Sequence, residues 1–573
     1  MAVFSQGKRH FHQIVHFTVT GKLLQHVPAN SPHRILIPGA RATLPLWMLY
    51  PVFFAAVYFS HLTLLRLPYF WDEAGYYIPA AWDFFRTGTM IPFTTQANAH
   101  PPLPSILLAG WWHLSGFVPS GTRTFLCMIT AAALLAIFRL ARHLLGTTAA
   151  VATVLLTATY PIWFAQSTLA HGDTFAAAFT LWGLAFYFES ISTEDGATSP
   201  GAPHLESKMW ILAQPKIYAA IFFSLAALSK ETGVITPVAL ALWEVVVSLR
   251  GRSLRRRAGW ITALLFPILP LTAWYLYYRH RTGYAFGNPD FLRYNATANF
   301  DAHRLTLGLY HRLLHLTMHM NMFVPVICAL AALWMPAIAS RVRLSRAVLS
   351  AIAVVLLTNW IAFSVLGGAL LTRYLLPMYP LVLLVCVAVW QCRVRRWEWI
   401  AALSTAAFLA GIWINPPYAF APEDNLTYRD MTVLHQRAVN LIEQRWPQAT
   451  VLTAWPANSE LGQPYLGYAT SPVKTFWIKN FSAEELEKAA SEPNDYDLAL
   501  LFSTKWVPPS GRAYLGRPNT PADARYFDFH EDVLPAQAAA ILHGELVWQA
   551  SQRGEWVAIV SFPRIQDPSL QAH

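Results

Sequence analysis

The sequence predicts a polytopic α-helical membrane protein of about eleven transmembrane helices plus interfacial helices, carrying a small C-terminal α/β soluble domain. Three observations predict it. Hydrophobic residues make up 55% of the 573 residues and charged residues only 13%, where a soluble domain carries about 25% charge. Apolar runs fill residues 43–414. After Pro416-Pro417 the composition returns to that of an ordinary soluble chain.

A helix needs roughly 20 apolar residues to cross a bilayer. Candidate spans lie at 43–65, 122–143, 148–166, 174–191, 217–229, 232–249, 259–278, 321–340, 347–366, 374–392 and 398–414. The pair 217–229 and 232–249 is short enough to read as a hairpin reaching part of the way. Pro101 to Phe117 is apolar but short and opens on two prolines, so it reads as an interfacial helix. With that placement, twenty Lys and Arg fall on one side of the membrane, in the first 42 residues and in the loops around Arg139, Lys208, Arg250, Arg341 and Arg393. The positive-inside rule then puts residues 1–42 inside as a cytoplasmic tail, and loops 66–121 and 279–320 outside with residues 415–573. Loop 192–215, rich in Ser, Gly and Pro, reads as a cytoplasmic linker. The tail shows no cleavable-signal pattern, so the first apolar run reads as a retained membrane helix; the lack of glycoprotein-type signals and of an ER-retention ending favours a bacterial cytoplasmic (inner) membrane.

The net charge of +11 does not indicate nucleic acid, because it sits in short clusters between apolar runs. The 23 Trp and 23 Tyr suit a membrane–water interface, where the ring is buried and the polar tip stays wet. The four Cys lie in or beside apolar runs, so no disulfide framework is implied.

In the C-terminal part, Ala449 to Trp455, Val473 to Ile478, Tyr496 to Phe502, Glu545 to Gln549 and Trp556 to Phe562 read as strands. Residues 431–445 have helical periodicity. Ser482-Ala-Glu-Glu is a capping-box signature for a helix start. Strands alternating with helices point to an α/β layer.

The strongest chemical cluster is Trp71-Asp72-Glu73, at the end of the first span. A carboxylate there can take a proton from an acceptor hydroxyl or amine. Asp72 could instead cap a helix from Glu73 to Thr87 that stops at Gly88. His100-Pro101-Pro102-Leu103 opens the interfacial helix, and an imidazole beside a helix N-terminus can meet a phosphate. Asp173 opens the fourth span as an N-cap or a cavity carboxylate. Lys230-Glu231 reads on its own as a mutual ion pair. Arg373-Tyr374 opens the tenth span, where Arg either forks onto a phosphate or snorkels. His311, His315 and His319 recur at four-residue spacing, as a metal site needs, but no Asp, Glu or Cys accompanies them in sequence. They read as the polar face of an interfacial helix.

Carboxylates, His, Lys and Arg thus gather on one membrane face. With these motifs, residues 43–414 resemble the GT-C superfamily, in particular protein O-mannosyltransferase-like (family 39) and lipid A aminoarabinose transferase-like glycosyltransferases. The carrying residues are Trp71-Asp72-Glu73, His100-Pro101-Pro102-Leu103, Asp173, Leu228-Ser229-Lys230-Glu231-Thr232 and Arg373-Tyr374-Leu375-Leu376-Pro377. The resemblance implies a polyprenyl-phosphate-linked sugar donor and a protein, lipid A or glycan acceptor at the outer face. It implies Asp72 as acceptor-activating base or its organiser, Glu73 as its support and Asp173 as the second acidic residue. It implies His100, Lys230 and Arg373 as donor-phosphate ligands and an inverting displacement. Metal dependence varies across that superfamily, so a divalent cofactor is left open and no metal ligand is assigned. The other reading is a transporter or flippase for a lipid-linked glycan. That class shows internal repeats and ionisable residues near the bilayer midplane, whereas here the charges sit at helix ends and no repeat is evident.

Overall fold

The computed structural model describes residues 45–562, except 98, 197–204, 252–253, 288, 296–299, 510, 512, 517–519 and 528. The expected tail, residues 1–42, lies outside the described residues, as does most of the Ser/Gly/Pro part of the expected 192–215 linker. Leu46 onward forms one compact unit. It is a membrane protein whose helices run first and whose sheet comes last.

Among the described residues, five helices are long and apolar enough to cross a membrane: Pro119–Leu145, Gly172–Ile191, Glu231–Gly251, Arg257–Thr282 and Arg346–Val365. A sixth crossing would be the pair Ala302–Asn321 and Phe323–Leu333, which is bent by 101°. Four shorter apolar helices, Leu46–Ser60, Thr147–Thr159, Met378–Arg393 and Glu398–Trp413, fall in other expected spans. The run expected at 217–229 is the end of a longer helix, Leu205–Ser229. The pair read as a short hairpin is therefore two long helices. The run at 148–166 breaks before Pro161, because proline lacks the N–H and crowds the preceding turn; a six-residue helix, Pro161–Gln166, follows. The 101° bend falls at Met320 and Asn321, which adopt φ of +47° and +66°.

The interfacial reading of 101–117 gives a helix at Leu103–Ser115, with Pro104 in its first turn and Gly116 ending it at φ +74°. The helix expected from Glu73 to Thr87 is a π-helical turn, Glu73–Tyr77, running into an α-helix, Ile78–Thr87, and Gly88 stops it at φ +71°. Such π turns recur at functional sites.

The last part is a five-stranded sheet of β1 (Val451–Ala454), β2 (Thr475–Ile478), β3 (Leu498–Phe502), β4 (Glu545–Gln552) and β5 (Glu555–Ser561), in the order β2-β1-β3-β5-β4. β2, β1 and β3 are parallel; β5 and β4 continue antiparallel. All five strands fall where the sequence places them. Ser482 accepts from the Glu485 N–H and caps Ala483–Ala490, and the periodic run at 431–445 is the end of helix Thr427–Arg445. The sheet does not hang free. One apolar core joins Phe70, Leu108 and Phe175 of the helical part to Tyr428, Phe502 and Val560 of the α/β part.

The segment 363–372 is held by two buried arginines on helix Ala302–Thr317. Arg304 donates to the carbonyls of Ser364 (2.9 Å) and Gly367 (2.8 Å). Arg312 donates to those of Phe363 (3.0 Å) and Leu371 (2.6 Å). Gly308 lets the helix approach closely: a Cβ there would lie 2.7 Å from the Ser364 carbonyl oxygen. Gly308→Ala should lower stability by about 1–3 kcal/mol through overpacking, read as a lower thermal unfolding midpoint in detergent; an unchanged midpoint would mean that the helix is free to move away.

Candidate active site

Trp71-Asp72-Glu73 forms a sharp corner. Trp71 takes φ +46°, a left-handed conformation that costs a non-glycine residue about 1–3 kcal/mol. The α/β part offsets that cost. The Trp71 indole packs edge-on against Trp455 and Phe502, and Trp455 covers Gly75 so closely that a Cβ there would lie 2.4 Å from its indole nitrogen.

The corner sends its two carboxylates in opposite directions. Glu73 is fully buried and accepts from the N–H groups of Phe70 (2.8 Å) and Ala170 (2.7 Å) and from Arg123 (3.2 Å). Arg123 also donates to the carbonyls of Leu67, Pro68 and Thr168. Glu73 therefore locks the loop from inside, and the sequence-based pairing of Glu73 with Asp72 at one site does not hold. Asp72 makes no cap hydrogen bond, which removes its reading as an N-cap. Its carboxylate meets Arg373 instead.

Arg373 is the hub. One guanidinium N–H bonds Asp72 and another bonds Glu423. Its Nε lies 3.4 Å from Asp173, whose other oxygen accepts from the Lys230 ammonium at 2.6 Å. Side-chain exposure is 3% for Arg373, 5% for Asp173, 4% for Glu423 and 15% for Asp72. Asp72 is thus the most open of the three carboxylates that meet Arg373. The Lys230 ammonium also lies 4.1 Å from the Tyr374 ring centre. The expected Lys230–Glu231 pair is not formed: Lys230 goes to Asp173, and Glu231 accepts from His100 at 2.8 Å. Backbone geometry separates them, since Lys230 is extended between helix Leu205–Ser229 and the 3-10 turn Glu231–Val234. The His100 ring lies parallel to Tyr77, 6.3 Å between centres.

Two site residues escape sequence reasoning, Glu423 and Asp424. They lie in the 3-10 turn Pro422–Asp424, which follows helix Glu398–Trp413. Asp424 accepts from Thr372 and lies 2.9 Å from His319 Nε2. The His319 Nδ1 meets the Tyr418 hydroxyl at 3.1 Å. His319 is therefore paired with an Asp distant in sequence, whereas the sequence shows no acidic partner. Glu423-Asp424 carries the same signal as Asp72-Glu73, an acidic doublet next to an apolar run. Among the described residues, no three His, Cys, Asp or Glu side chains are arranged to hold a metal ion.

Most of these groups line a cavity of about 1700 Å³. Its walls mix the polar cluster with Phe286, Leu307, Tyr310, Leu314, Phe363 and Leu370. Asp72, His100, Lys230, Arg373, Glu423 and Asp424 line it; Glu73 and Asp173 stand behind it.

Residues 99–276 match the family described as dolichyl-phosphate-mannose-protein mannosyltransferase. No curated protein matches the sequence. Among solved structures, ArnT from Cupriavidus metallidurans in the apo state is similar with a TM-score of 0.52 and 15% identity, over 90% of this chain and 98% of that one. ArnT bound to undecaprenyl phosphate is similar at 0.51 and 14%, over 90% and 97%. At this identity the likeness shows that the fold is like that of ArnT. The family match includes His100, Asp173 and Lys230 and stops before Arg373.

Burial pushes the Glu423 carboxyl up to about 8 against the pull of Arg373, and the Asp72 and Asp424 charges add to the rise. A raised carboxyl favours folding while it keeps its proton. That contribution is present below about pH 4.5 and is lost as pH rises towards about 8. Thermal unfolding against pH should show stability falling across this window. Glu423→Gln should flatten the slope by at most about 1.4 kcal/mol per pH unit; an identical slope in the variant would rule the group out.

Proposed function

We propose that this protein is a membrane glycosyltransferase that moves a sugar from a polyprenyl-phosphate donor to an acceptor on the outer face of the cytoplasmic membrane. The observation that carries the reading is one cavity lined both by apolar side chains, among them Phe286, Leu307, Leu314 and Leu370, and by Arg373 and Lys230. A polyprenyl-phosphate sugar has the matching chemistry of an apolar chain, an anionic head and a sugar beyond it. ArnT, which has the same fold, was solved bound to undecaprenyl phosphate. In the proposed topology the N-terminus is cytoplasmic, and the cavity and residues 415–573 are extracytoplasmic.

The chemistry is a direct displacement. An acceptor oxygen or nitrogen forms a bond to the anomeric carbon as the bond from that carbon to the phosphate oxygen breaks. The lipid phosphate leaves with the electron pair. Asp72, the most exposed carboxylate on the hub, takes the acceptor proton. Arg373 and Lys230 neutralise the leaving phosphate, which needs charge compensation more than a proton. Attack from the face opposite the phosphate inverts the anomeric centre. His100 stands on the cavity wall beside them. Asp173 holds Lys230 and Arg373 in place, and Glu73 acts only through the loop that carries Asp72.

The test is transfer of radiolabelled sugar from polyprenyl-phosphate donors to extracted envelope material, in membranes carrying the wild type or Asp72→Asn at equal protein level. Transfer should be lost in the variant by roughly a hundredfold or more, the usual worth of a general base. Equal transfer would remove Asp72 from the mechanism. No transfer from any donor, with donor lipid moving between leaflets instead, would replace the enzyme reading with a flippase.

A further inference from the structure

Aromatic rings gather beside Asp72, and the displacement above does not use them. Trp71 is its neighbour in the chain, and Tyr76 lies one turn further on, within the π-helical turn Glu73–Tyr77. A third ring comes from the α/β part, where strand β1 ends at Ala454 and hands over to Trp455. The Trp455 ring lies 5.1 Å from the Trp71 ring and 5.5 Å from the Tyr76 ring, between centres. All three rings line the cavity that Asp72 lines, and each is only partly buried. Gly75 makes this cluster possible, since a side chain there would drive into the Trp455 indole and push it from Tyr76.

The apolar side chains suited to a lipid chain come from other elements. Leu307 and Leu314 lie on helix Ala302–Thr317, and Phe363 on helix Arg346–Val365. Polar groups accompany the rings. The Thr95 hydroxyl donates to the Gly75 carbonyl at 2.6 Å, and the next residue, Gln96, brings an amide to the cavity. Burial and the Asp72 charge push the Tyr76 phenol up to about 12. It therefore keeps its proton at neutral pH and serves as a hydrogen-bond donor, not as a rival base. Aromatic surface flanked by hydrogen-bonding groups has the chemistry of a sugar site. One face of a pyranose is a patch of C–H groups, which meets the electron-rich face of a ring. Its hydroxyls stand around the rim, where amides and phenols reach them. An isoprenyl chain has no such rim.

We propose that Trp455 and Tyr76 form the acceptor subsite, and that the acceptor is a saccharide whose ring packs on them with one hydroxyl presented to Asp72. This rests on the transferase reading and names its acceptor class. That hydroxyl oxygen forms the bond to the anomeric carbon and its proton goes to Asp72, so the product carries a sugar–sugar linkage. The α/β part then takes part in acceptor choice, because Trp455 belongs to it.

The test is retention of envelope fragments on the full-length protein in nanodiscs, without donor. Two probe pools come from the same envelope: fluorescently tagged oligosaccharides released by mild acid, and tryptic peptides. The oligosaccharides should be retained and the peptides should not. Tyr76→Phe keeps the ring face and should keep most of the retention. Tyr76→Leu keeps bulk without that face and should weaken retention at least about tenfold, the scale of one aromatic contact. Trp455→Leu should weaken it as well. Polyprenyl phosphate should still bind Tyr76→Leu as it binds the wild type. Peptides retained at least as well as oligosaccharides, no retention of either pool, or unchanged retention in Tyr76→Leu would overturn the subsite. Loss of polyprenyl phosphate binding in Tyr76→Leu would assign the rings to the lipid and overturn it too. Asp72→Asn should leave retention intact, so failure of transfer and failure of the subsite are separate results.

Discussion

One guanidinium ties the molecule together. Arg373 engages carboxylates from three distant parts of the chain, Asp72, Asp173 and Glu423. At 3% exposure the charge could not be buried without them, because an unpaired charge removed from water costs several kcal/mol. The rest of the helical part explains why Arg373 sits there. Arg304 and Arg312 hold the carbonyls of the preceding segment, Gly308 allows their helix to come close, and Thr372 is anchored by Asp424. The 101° bend turns the helix that carries both arginines away from the axis of Phe323–Leu333.

The hub sets the state of the site before any ligand arrives. Its cations are already compensated, and compensated more than fully by the acidic groups around them. An arriving lipid phosphate therefore competes with carboxylates for Arg373. In the proposed mechanism that exchange releases Asp72 to meet the acceptor. Glu423, which burial inclines to hold a proton, limits the negative charge left behind. The α/β part closes this arrangement. Trp455 and Phe502 hold the strained Trp71 corner, and the turn Pro422–Asp424 supplies two of the acidic groups.

Much of this was legible in the sequence because it follows from local pattern. The strands, the Ser482 cap, the Leu103–Ser115 helix and the Gly88 stop all rest on neighbouring residues. Asp72, Asp173, Lys230, His100 and Arg373 were singled out as residues at helix ends, and the fold brings them to one place. What stayed hidden depends on partners far apart in sequence. Adjacent Asp72 and Glu73 read as one unit, but a left-handed Trp71 and a buried Arg123 send them to different places. Lys230 and Glu231 look paired, yet each finds a partner over 50 residues away. Glu423 and Asp424 sit past the last apolar run, so composition assigned them to the soluble part. The span at 148–166 is shortened where Pro161 interrupts an apolar run that hydropathy alone reads as continuous.

The central claim is that Arg373 exchanges carboxylates for the donor's phosphate. Binding of polyprenyl phosphate to purified wild type, Arg373→Lys and Asp72→Asn tests it most directly. A lysine keeps the charge but loses the fork that carries several contacts at once. The account predicts binding weakened at least about tenfold in Arg373→Lys and unchanged or tighter in Asp72→Asn, where a competing carboxylate is gone. Wild-type affinity in Arg373→Lys, together with weaker binding in Asp72→Asn, would contradict it.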